Sequence, residues 1–333
     1  MNKKAIVLLS GGLDSILAAR MMLEQGVEVT AVNFSARLCM CGAKSEGESS
    51  AGSAAKMLKI PLETIDITDD FIEIIKTPRY GHGANMNPCI DCKIYMLKHA
   101  KALMEGSGAS FLVTGEVLGE RPMSQRKDAL NLIEKRAEVK GILLRPLTAK
   151  NLEPTRPEIE GIVDRDKLFD IKGRSRKPQM ALAEKFGITK YPNPAGGCLL
   201  TDPGFAKRVR DAIAHNEFSL GNIAILSVGR HFRLSDKARL VVGRDANENS
   251  ILLSLAKSDD TVFKLKDHQG PISILIGVTD VGLVEQAAGI AAYHTKFRDE
   301  ESVAVNYWTG KDAAKETISV KAAKREAIEN LRI

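Results

Sequence analysis

Ser10-Gly11-Gly12-Leu13-Asp14-Ser15 is the stretch that decides the fold of this chain. It follows the apolar run Ala5–Leu9, which predicts a buried parallel strand, and precedes residues 16–25, whose apolar positions recur with helical spacing. Adjacent glycines allow a tight turn that brings backbone N–H groups close to phosphate oxygens, and the start of a helix attracts anions. The stretch therefore predicts a phosphate-binding loop between a strand and a helix.

Asp14, the acidic residue inside this loop, indicates which kind of phosphate site the loop forms. The Gly-Lys-Ser/Thr ending of a Walker A loop is absent, and so is the third glycine of a dinucleotide-binding loop. A carboxylate at Asp14 makes sense beside phosphates if it holds Mg²⁺, which the phosphate oxygens would share. The alternative is a plain strand–helix turn in which a serine or aspartate caps the helix.

The residues after the loop alternate between strand and helix patterns. They predict strands at 27–33, 62–67, 111–115 and 141–145 and helices at 51–58 and 93–105. This alternation predicts an α/β fold with a doubly wound, mostly parallel sheet. Ligands bind beyond the carboxyl ends of such strands, so Asn33, at the end of the second strand, is a candidate nucleotide contact.

Composition excludes several classes of protein. The chain has 333 residues, 44% hydrophobic and 27% charged, which excludes general disorder and a collagen-like fibre and predicts two domains. No apolar run approaches the roughly 18 residues of a membrane span. The net charge of +6 permits an acidic partner without indicating one. We place the boundary after residue 200 and expect residues 201–333 to form a smaller α+β domain, with 311–333 as a solvated helix.

All five cysteines lie in the first 198 residues. An odd count without a secretory signal argues against a disulfide framework and for thiol or metal chemistry in a reducing compartment, the cytoplasm. Cys89 and Cys92 form a Cys-x-x-Cys pair at the start of a predicted helix, where thiol pKa values are lowered, and Cys198 follows two glycines. Three thiolates leave one iron of a [4Fe–4S] cluster without a protein ligand, open to substrate or sulfide.

Other chemistries fit the same cysteines. Structural zinc would need Cys39, Cys41 or His82 as a fourth ligand. A persulfide on one of Cys92 and Cys198, resolved by the other as a disulfide, would carry sulfur without a metal. The cysteines could also be buried small apolar residues, and Cys39 and Cys41 could be ordinary loop residues after the second strand.

Residues 229–242 of the second domain are a basic segment with interleaved ring side chains. Their pattern predicts two strands joined by a polar turn, and the polar stretch 243–249 follows. The cations of residues 229–249 would contact RNA phosphates, and His231 and Phe232 would stack on bases; the cations are Arg230, Arg233, Lys237, Arg239 and Arg244. The alternative is an ordinary solvated hairpin. The run Lys172–Lys177 is a second candidate for RNA contact, or equally a solvated charge run.

Ser10–Ser15 resembles the Ser-Gly-Gly-x-Asp-Ser signature of the PP-loop ATP pyrophosphatases. The resemblance implies an adenine nucleotide alpha hydrolase-like fold that cleaves ATP between the α- and β-phosphates and transfers AMP to a substrate oxygen. Residues 114–125 and 144–147 are similar to segments of tRNA 4-thiouridine synthetases, although Glu120–Pro122 replaces a shorter, more apolar stretch. The implied nucleotide contacts are Ser10, Gly11, Gly12, Asp14, Ser15, Gly115 and Glu116, and the implied neighbours of the AMP or target base are Ser124, Gln125 and Arg145.

Asn87–Cys92 with the late Cys198 looks like the corresponding pattern of the tRNA 2-thiouridylases, and residues 229–249 resemble the RNA-binding module of the NFACT proteins. Together the resemblances imply an ATP-dependent RNA sulfurtransferase that adenylates a tRNA uridine oxygen and replaces it with sulfur. The implied cofactors are ATP, Mg²⁺ and a [4Fe–4S] cluster, and the implied partners are tRNA and a sulfur donor, either a cysteine desulfurase or free sulfide. A homodimer stays open. The implied catalytic residues are Asp14, Cys89, Cys92 and Cys198.

Two other classes of function stay open at this point. One is a PP-loop enzyme that activates a small molecule or cofactor for sulfur transfer or amide ligation. The other is a non-catalytic RNA-binding protein on a degenerate nucleotide fold. The intact motif at Ser10–Ser15 argues against the second class.

Overall fold

The computed structural model divides the chain into two units, residues 1–201 and 202–333. It describes residues 2–36, 49–191, 198–310 and 313–333. Cys39, Cys41 and the two glycines before Cys198 lie outside these residues. No helix in the described ranges has both the length and the apolar character needed to cross a membrane.

The first unit is built on a five-stranded parallel sheet. Its strands are β1 (Lys4–Leu8), β2 (Glu28–Ser35), β3 (Leu62–Asp66), β4 (Phe111–Val113) and β5 (Leu143–Leu144). They lie in the order β3-β2-β1-β4-β5, and every neighbouring pair is parallel. The order reverses between β1 and β4, the position at which doubly wound sheets bind their ligands. The predicted α/β fold is confirmed.

Helices cover both faces of this sheet. They are α1 (Leu13–Glu24), α2 (Ser50–Leu58), α3 (Thr68–Lys76), α4 (Cys89–Ser107), α5 (Lys127–Ala137), α6 (Arg156–Ile159) and α7 (Lys177–Lys185). Side chains alternate along β1, so Val7 belongs to the core that contains α1, whereas Ile6 belongs to the core that contains Leu97 and Ala100 of α4. α4 begins earlier than the predicted residue 93, which places both cysteines of the Cys-x-x-Cys pair in its first turn.

The second unit is built on a six-stranded antiparallel sheet. Its strands are β6 (Arg230–Ser235), β7 (Ala238–Val242), β8 (Thr261–Leu265), β9 (Ser273–Gly277), β10 (Val303–Thr309) and β11 (Glu316–Val320), in the order β11-β10-β8-β9-β7-β6. Its helices are α8 (Pro203–Ala214), α9 (Ile223–Leu226), α10 (Ala246–Leu255), α11 (Val281–Tyr293) and α12 (Arg325–Leu331). The predicted smaller α+β architecture is confirmed.

The prediction of a solvated helix at the end of the chain is wrong. Residues 313–333 contain β11, which pairs with β10, and the short helix α12. Val320 and Ile328 are buried in the core of the second unit. The apolar side chains of this lysine- and alanine-rich stretch are few, but they pack against the sheet, so tertiary contacts outweigh its helical composition.

Candidate active site

The Ser10–Ser15 turn joins the carboxyl end of β1 to the start of α1. Ser15 Oγ donates to the Gly12 carbonyl at 2.8 Å and lies 3.2 Å from Ser10 Oγ. Gly11 has φ +78°, and a Cβ there would lie 2.4 Å from the backbone carbon of Ser50. Both facts require glycine at this position. The strand–turn–helix arrangement that the sequence predicts is present.

Gly115 lies directly against this turn. A Cβ on Gly115 would come within 2.4 Å of the Asp14 backbone carbon and within 2.5 Å of the Ser15 nitrogen. The residue after β4 can therefore approach the first turn of α1 only because it has no side chain. Two motifs that lie about a hundred residues apart in the sequence thus meet at the switch point of the sheet.

Asp14 forms an ion pair that the sequence did not reveal. Arg176 Nη1 bonds Asp14 Oδ2, and Arg176 Nη2 lies 2.8 Å from Glu120 Oε1, so one guanidinium bridges two carboxylates. Burial raises the pKa of Asp14, an effect that Arg176 opposes. Burial and the charge of Asp14 raise the pKa of Glu120 to about 7. Arg176 belongs to the run Lys172–Lys177, and nothing in its spacing distinguished it from its neighbours.

Asp14 fits the Mg²⁺ that the resemblance implies. Its second carboxylate oxygen, Oδ1, is buried and has no hydrogen-bond partner in the part of the chain that the structure describes. Carboxylate oxygens are ligands that Mg²⁺ prefers, usually together with phosphate oxygens of a nucleotide. Asp14 would therefore hold the metal through Oδ1.

Glu116 and Arg145 form a buried ion-pair network. Glu116 Oε1 accepts from Lys93, Glu116 Oε2 accepts from Arg145 Nε at 2.9 Å, and Arg145 also bonds Glu134. Burial favours the protonated form, but the charges of Lys93 and Arg145 outweigh it and lower the pKa of Glu116 to about 2. Because Arg145 is 2% exposed, its side chain lies inside the unit rather than on an open surface.

The remaining predicted contacts of the nucleotide or base occupy different environments. Ser124 and Gln125 are buried, and Gln125 Oε1 accepts from the backbone N–H of Arg121 at 3.1 Å, which ties together the loop after β4. Asn33 is half-buried near the carboxyl end of β2, opposite Thr64 of β3. Their roles in binding stay predictions.

Cys89, Cys92 and Cys198 are each partly buried. The first two lie three residues apart in the first turn of α4 and therefore share one face of the helix. The expectation of a lowered thiol pKa is wrong for Cys89. Burial raises the pKa of the Cys89 thiol, and the positive charges of Lys93 and Arg121 oppose that effect only in part.

Hydrogen bonds bring the segment that contains Cys198 to the start of the Cys-x-x-Cys pair. The backbone N–H of Met86 donates to the Leu200 carbonyl at 3.0 Å, and Asn85 Nδ2 donates to the Thr201 carbonyl at 2.7 Å. Thr201 in turn donates its N–H to the Cys198 carbonyl at 2.9 Å. The segment just after Cys198 is therefore bonded to the segment just before the Cys-x-x-Cys pair.

The three thiols match a [4Fe–4S] cluster in donor type and number. They are not preassembled around a single ion, because no group of three or more His, Cys, Asp or Glu side chains within the described residues is arranged to hold one. His82, a candidate fourth ligand for zinc, has its Nε2 2.8 Å from the Ile75 carbonyl. Cys39 and Cys41, the other candidates, lie outside the described residues.

Arg121 links the turn and the cysteines electrostatically. Its positive charge lowers the pKa of both the Asp14 carboxyl and the Cys89 thiol, against the larger effect of burial. Packing supports the same link, because Gly115 lies against Asp14 and the adjacent Glu116 bonds Lys93, one helical turn after Cys89. Arg121 lies within Glu120–Pro122, the stretch that departs from the tRNA 4-thiouridine synthetases.

The sequence predicts that Arg233 and Arg239 of the second unit face solvent, but in the structure they do not. Arg239 is fully buried, and Arg233 is engaged by Asp211 and by Glu217, whose Oε1 lies 2.7 Å from Arg233 Nη1. Arg239 is buried, and the Arg233 side chain is only 13% exposed between its two carboxylates, so neither is available to RNA phosphates and both predicted contacts are wrong. The predicted hairpin itself is present, because β6 pairs antiparallel with β7.

The predicted stacking surface on the same hairpin is also wrong. His231 is 1% exposed and Phe232 is fully buried in the core of the second unit. The two are consecutive on β6 and both are buried, so both faces of the strand are covered at this point, which the basic residues around them concealed. Of the five predicted cations, Arg230, Lys237 and Arg244 remain accessible.

Comparison with known proteins agrees with both units. Residues 1–156 match the family model for "Thiamine biosynthesis protein (ThiI)", and residues 229–332 match "NFACT protein RNA binding domain". The first unit has a PP-loop fold similar to the ThiI family, and the second is similar to the NFACT module. Both resemblances that the sequence suggested are confirmed.

Relatives of this PP-loop protein include tRNA-specific 2-thiouridylases MnmA. The one from Syntrophotalea carbinolica is 33% identical over 124 residues, which are 34% of this chain and 34% of the relative. The one from Caldicellulosiruptor saccharolyticus is 28% identical over 227 residues, which are 62% of this chain and 58% of the relative. The PP-loop protein thus spans between about a third and three fifths of the length of these relatives.

A solved structure, the U34-tRNA thiolase NcsA from Methanococcus maripaludis with its [4Fe-4S] cluster, is also similar to the PP-loop protein. The two share 17% sequence identity and a TM-score of 0.34, over 67% of this chain and 69% of that one. A similarity this low supports no inference about the chemistry of the PP-loop protein.

Proposed function

We propose that this chain is an ATP-dependent tRNA sulfurtransferase that replaces a uridine carbonyl oxygen with sulfur. The observation that carries the proposal is the packing of Gly115 against Asp14, since the adjacent Glu116 bonds Lys93, which lies one helical turn after Cys89. One region of the first unit therefore contains a phosphate-binding turn and a pair of thiols. Activation by ATP and delivery of sulfur need this combination in one place. The match of residues 1–156 to the ThiI family and of residues 229–332 to an RNA-binding module supports it.

In the first step the carbonyl oxygen of the uridine attacks the α-phosphorus of ATP. The bond from that phosphorus to the bridging oxygen breaks, and pyrophosphate leaves with the electron pair. The chain contributes the backbone N–H groups of Gly11 and Gly12, the hydroxyl groups of Ser10 and Ser15 and the dipole of α1, which orient the phosphates. Mg²⁺ held by Asp14 would neutralise phosphate charge. Gly115 keeps the turn in place from the neighbouring strand.

In the second step sulfur adds to the adenylated carbon, and AMP leaves with the former carbonyl oxygen. Cys89, Cys92 and Cys198 supply the sulfur site. A [4Fe–4S] cluster on the three thiolates, when bound, would present an iron without a protein ligand at which sulfide can be held. Without a cluster, a persulfide on Cys92 or Cys198 would donate its outer sulfur, and the other thiolate would break the S–S bond and form a disulfide. Free sulfide is a proposed source of sulfur for the cluster route only, whereas the persulfide route takes sulfur already at the persulfide level from a cysteine desulfurase.

The test is release of pyrophosphate from ATP, measured with and without tRNA. We expect release that depends on tRNA, and an Asp14→Asn variant that releases pyrophosphate at least about a hundredfold more slowly, because the metal ligand is lost. Equal release with and without tRNA would favour an enzyme that activates a small molecule. If the wild-type chain releases no pyrophosphate, the chain is instead a non-catalytic RNA-binding protein.

A further inference from the structure

Five basic side chains from separate segments of the second unit line one groove, which we call the basic groove. It encloses about 420 Å³. α8 contributes two of the cations, β6 one, the loop after β7 one and the segment after α12 one; they are Lys207, Arg208, Arg230, Arg244 and Arg332. Convergence of cations from four segments is a feature of tertiary structure, and the spacing of these residues along the chain does not reveal it.

The charges of the basic groove are compensated only in part. Arg244 pairs with Glu248, with Nε 2.8 Å from Oε1. Arg208 and Arg230 instead donate to backbone carbonyls, those of Leu226 at 2.6 Å and of Gly243 at 3.3 Å. Burial and the nearby Arg244 lower the pKa of both Arg208 and Arg230. Like charges held together in this way favour an anionic ligand.

A second cavity adjoins the basic groove and shares Arg332 with it. This cavity encloses about 210 Å³ and is lined on one side by the rings of Phe232, Tyr293 and His294. The other side is formed by α12, where Arg325 pairs with Glu329 at 2.7 Å. The rings of Tyr293 and His294 are 5.2 Å apart between centroids, and His294 Nε2 is buried without a hydrogen-bond partner among the residues that the structure describes. Burial and the charges of Arg230 and Arg332 lower the pKa of His294 to about 4, so the ring is neutral at pH 7. A neutral ring with a vacant nitrogen suits a nucleobase.

We propose that the basic groove and the adjoining ring-lined cavity together bind one unpaired nucleotide of RNA. The phosphate lies among the cations of the groove, with Arg332 between the two parts. The base stacks on His294 and meets Tyr293 edge-on, because the planes of these two rings are 83° apart. Single-stranded RNA is recognised in this manner, by base stacking on rings combined with cations along the backbone. A duplex keeps its bases stacked on one another, so it cannot fill the cavity. The inference deepens the proposed function, because it rests on RNA being the substrate.

The test is binding of RNA to the full chain by fluorescence anisotropy over a series of salt concentrations. The probes are a labelled single-stranded oligonucleotide, the matching duplex and a tRNA transcript. For the groove, the double variant Lys207→Glu/Arg332→Glu changes two exposed side chains. For the cavity, His294→Ala removes a ring. The control is Lys264→Glu/Lys266→Glu, at exposed positions on and just after β8. β8 lies three strands from β6, or about 14 Å across the sheet.

We expect the groove variant to bind the single strand at least about tenfold more weakly and to lower the salt slope by about 1 to 2, since each lost phosphate contact lowers it by about 0.7. His294→Ala should weaken binding about tenfold without changing the slope. The control should stay within about twofold of the wild type. Thermal melting of each variant shows whether it is folded.

The proposed RNA site would be overturned by any of three results. The control variant binds RNA as weakly as the groove variant, the wild type prefers the duplex to the single strand, or the groove variant binds as tightly as the wild type. If inorganic phosphate displaces the labelled oligonucleotide as strongly as unlabelled oligonucleotide does, the groove is a site for small anions instead. The proposed function is judged separately. If the groove variant binds RNA and thiolates it as the wild type does, the RNA site is refuted and the sulfurtransferase proposal stands. If RNA binding depends on the groove but the wild type releases no pyrophosphate, only the sulfurtransferase proposal is refuted.

Discussion

The backbone N–H of Met86 donates a hydrogen bond to the carbonyl of Leu200 at 3.0 Å. Met86 precedes the Cys-x-x-Cys pair by three residues, and Leu200 follows Cys198 by two. Together with the bond from Asn85 to the Thr201 carbonyl, this bond joins the two parts of the chain that carry the proposed sulfur site. Under that proposal, these bonds position a cysteine far along the sequence to act with the pair at the start of α4.

Asn85→Gly tests whether this junction positions Cys198. Asn85 has φ +58°, which glycine tolerates, so the substitution removes only the side-chain bond to the Thr201 carbonyl. We expect thiolation of tRNA to fall about tenfold while release of pyrophosphate stays within about twofold, because a misplaced Cys198 impairs the second, sulfur step and not the attack on ATP. The rates of both products in one reaction mixture provide the measurement.

Asn216→Gly is the matched control for that variant. Asn216 has φ +57° and lies on the surface of the second unit. It should leave both rates unchanged. Parallel losses of thiolation and pyrophosphate release in Asn85→Gly would show that the junction supports the whole unit rather than the sulfur site.

Gly115→Ala should impair ATP binding. The new Cβ would lie 2.4 Å from the Asp14 backbone carbon, so the turn must move. We expect the Kd for ATP, measured by isothermal titration calorimetry, to rise at least about tenfold. Gly106→Ala, inside α4 with no atom within 4 Å of the new Cβ, should leave the Kd unchanged and stabilise the protein by about 0.5–1 kcal/mol. Equal Kd values for the two variants would contradict the close packing.

Arg176→Gln should destabilise the first unit in a pH-dependent way. The substitution leaves Asp14 and Glu120 without the cation that bridges them. The free energy of unfolding in urea should fall by about 1–3 kcal/mol at pH 8 and by less at pH 5.5, where the raised pKa of Glu120 leaves its carboxyl protonated. The exposed neighbour Arg174 provides the control, Arg174→Gln. Adding Glu120→Gln to Arg176→Gln should restore part of the stability at pH 8, and failure to do so would argue against the bridge.

Glu116→Gln tests the buried network. The pKa of Glu116 is lowered to about 2 in the folded state, so its carboxylate stabilises the fold above pH 4.5 and this contribution is lost as the pH falls through about 2. The variant should cost about 3–5 kcal/mol at pH 7, because Arg145 loses one of two buried carboxylates. The cost should shrink toward pH 2. Glu138→Gln, which breaks an exposed pair with Lys101, should cost less than about 1 kcal/mol at any pH.

The sequence was sufficient for the local features of the site. The two glycines of Ser10–Ser15 and the apolar runs around them predict the turn, and the alternation of elements predicts the parallel sheet. These features depend on residues close together in the chain, so periodicity and glycine content reveal them. Gly115 was also predicted, although on resemblance, and its close approach to Asp14 supplies a physical reason for its identity.

The features that the sequence did not reveal depend on contacts between distant residues. Arg176 reaches Asp14 across more than 160 positions, and Arg239 resembles its accessible neighbours but is buried. The raised pKa of Cys89 has the same origin, since burial by other elements outweighs the effect expected of a helix start. The charge of a residue and its spacing along the chain do not show whether it is buried. For this reason the sequence wrongly predicted Arg233 and Arg239 as contacts of RNA.

The central claim is tested most directly by nucleoside mass spectrometry of tRNA after anaerobic reaction with ATP, Mg²⁺, sulfide and the iron-reconstituted chain. The wild type should form thiouridine, and Cys198→Ser should form none while still releasing pyrophosphate. Thiouridine formed by Cys198→Ser at the wild-type level, or no thiouridine from the wild type, would contradict the account.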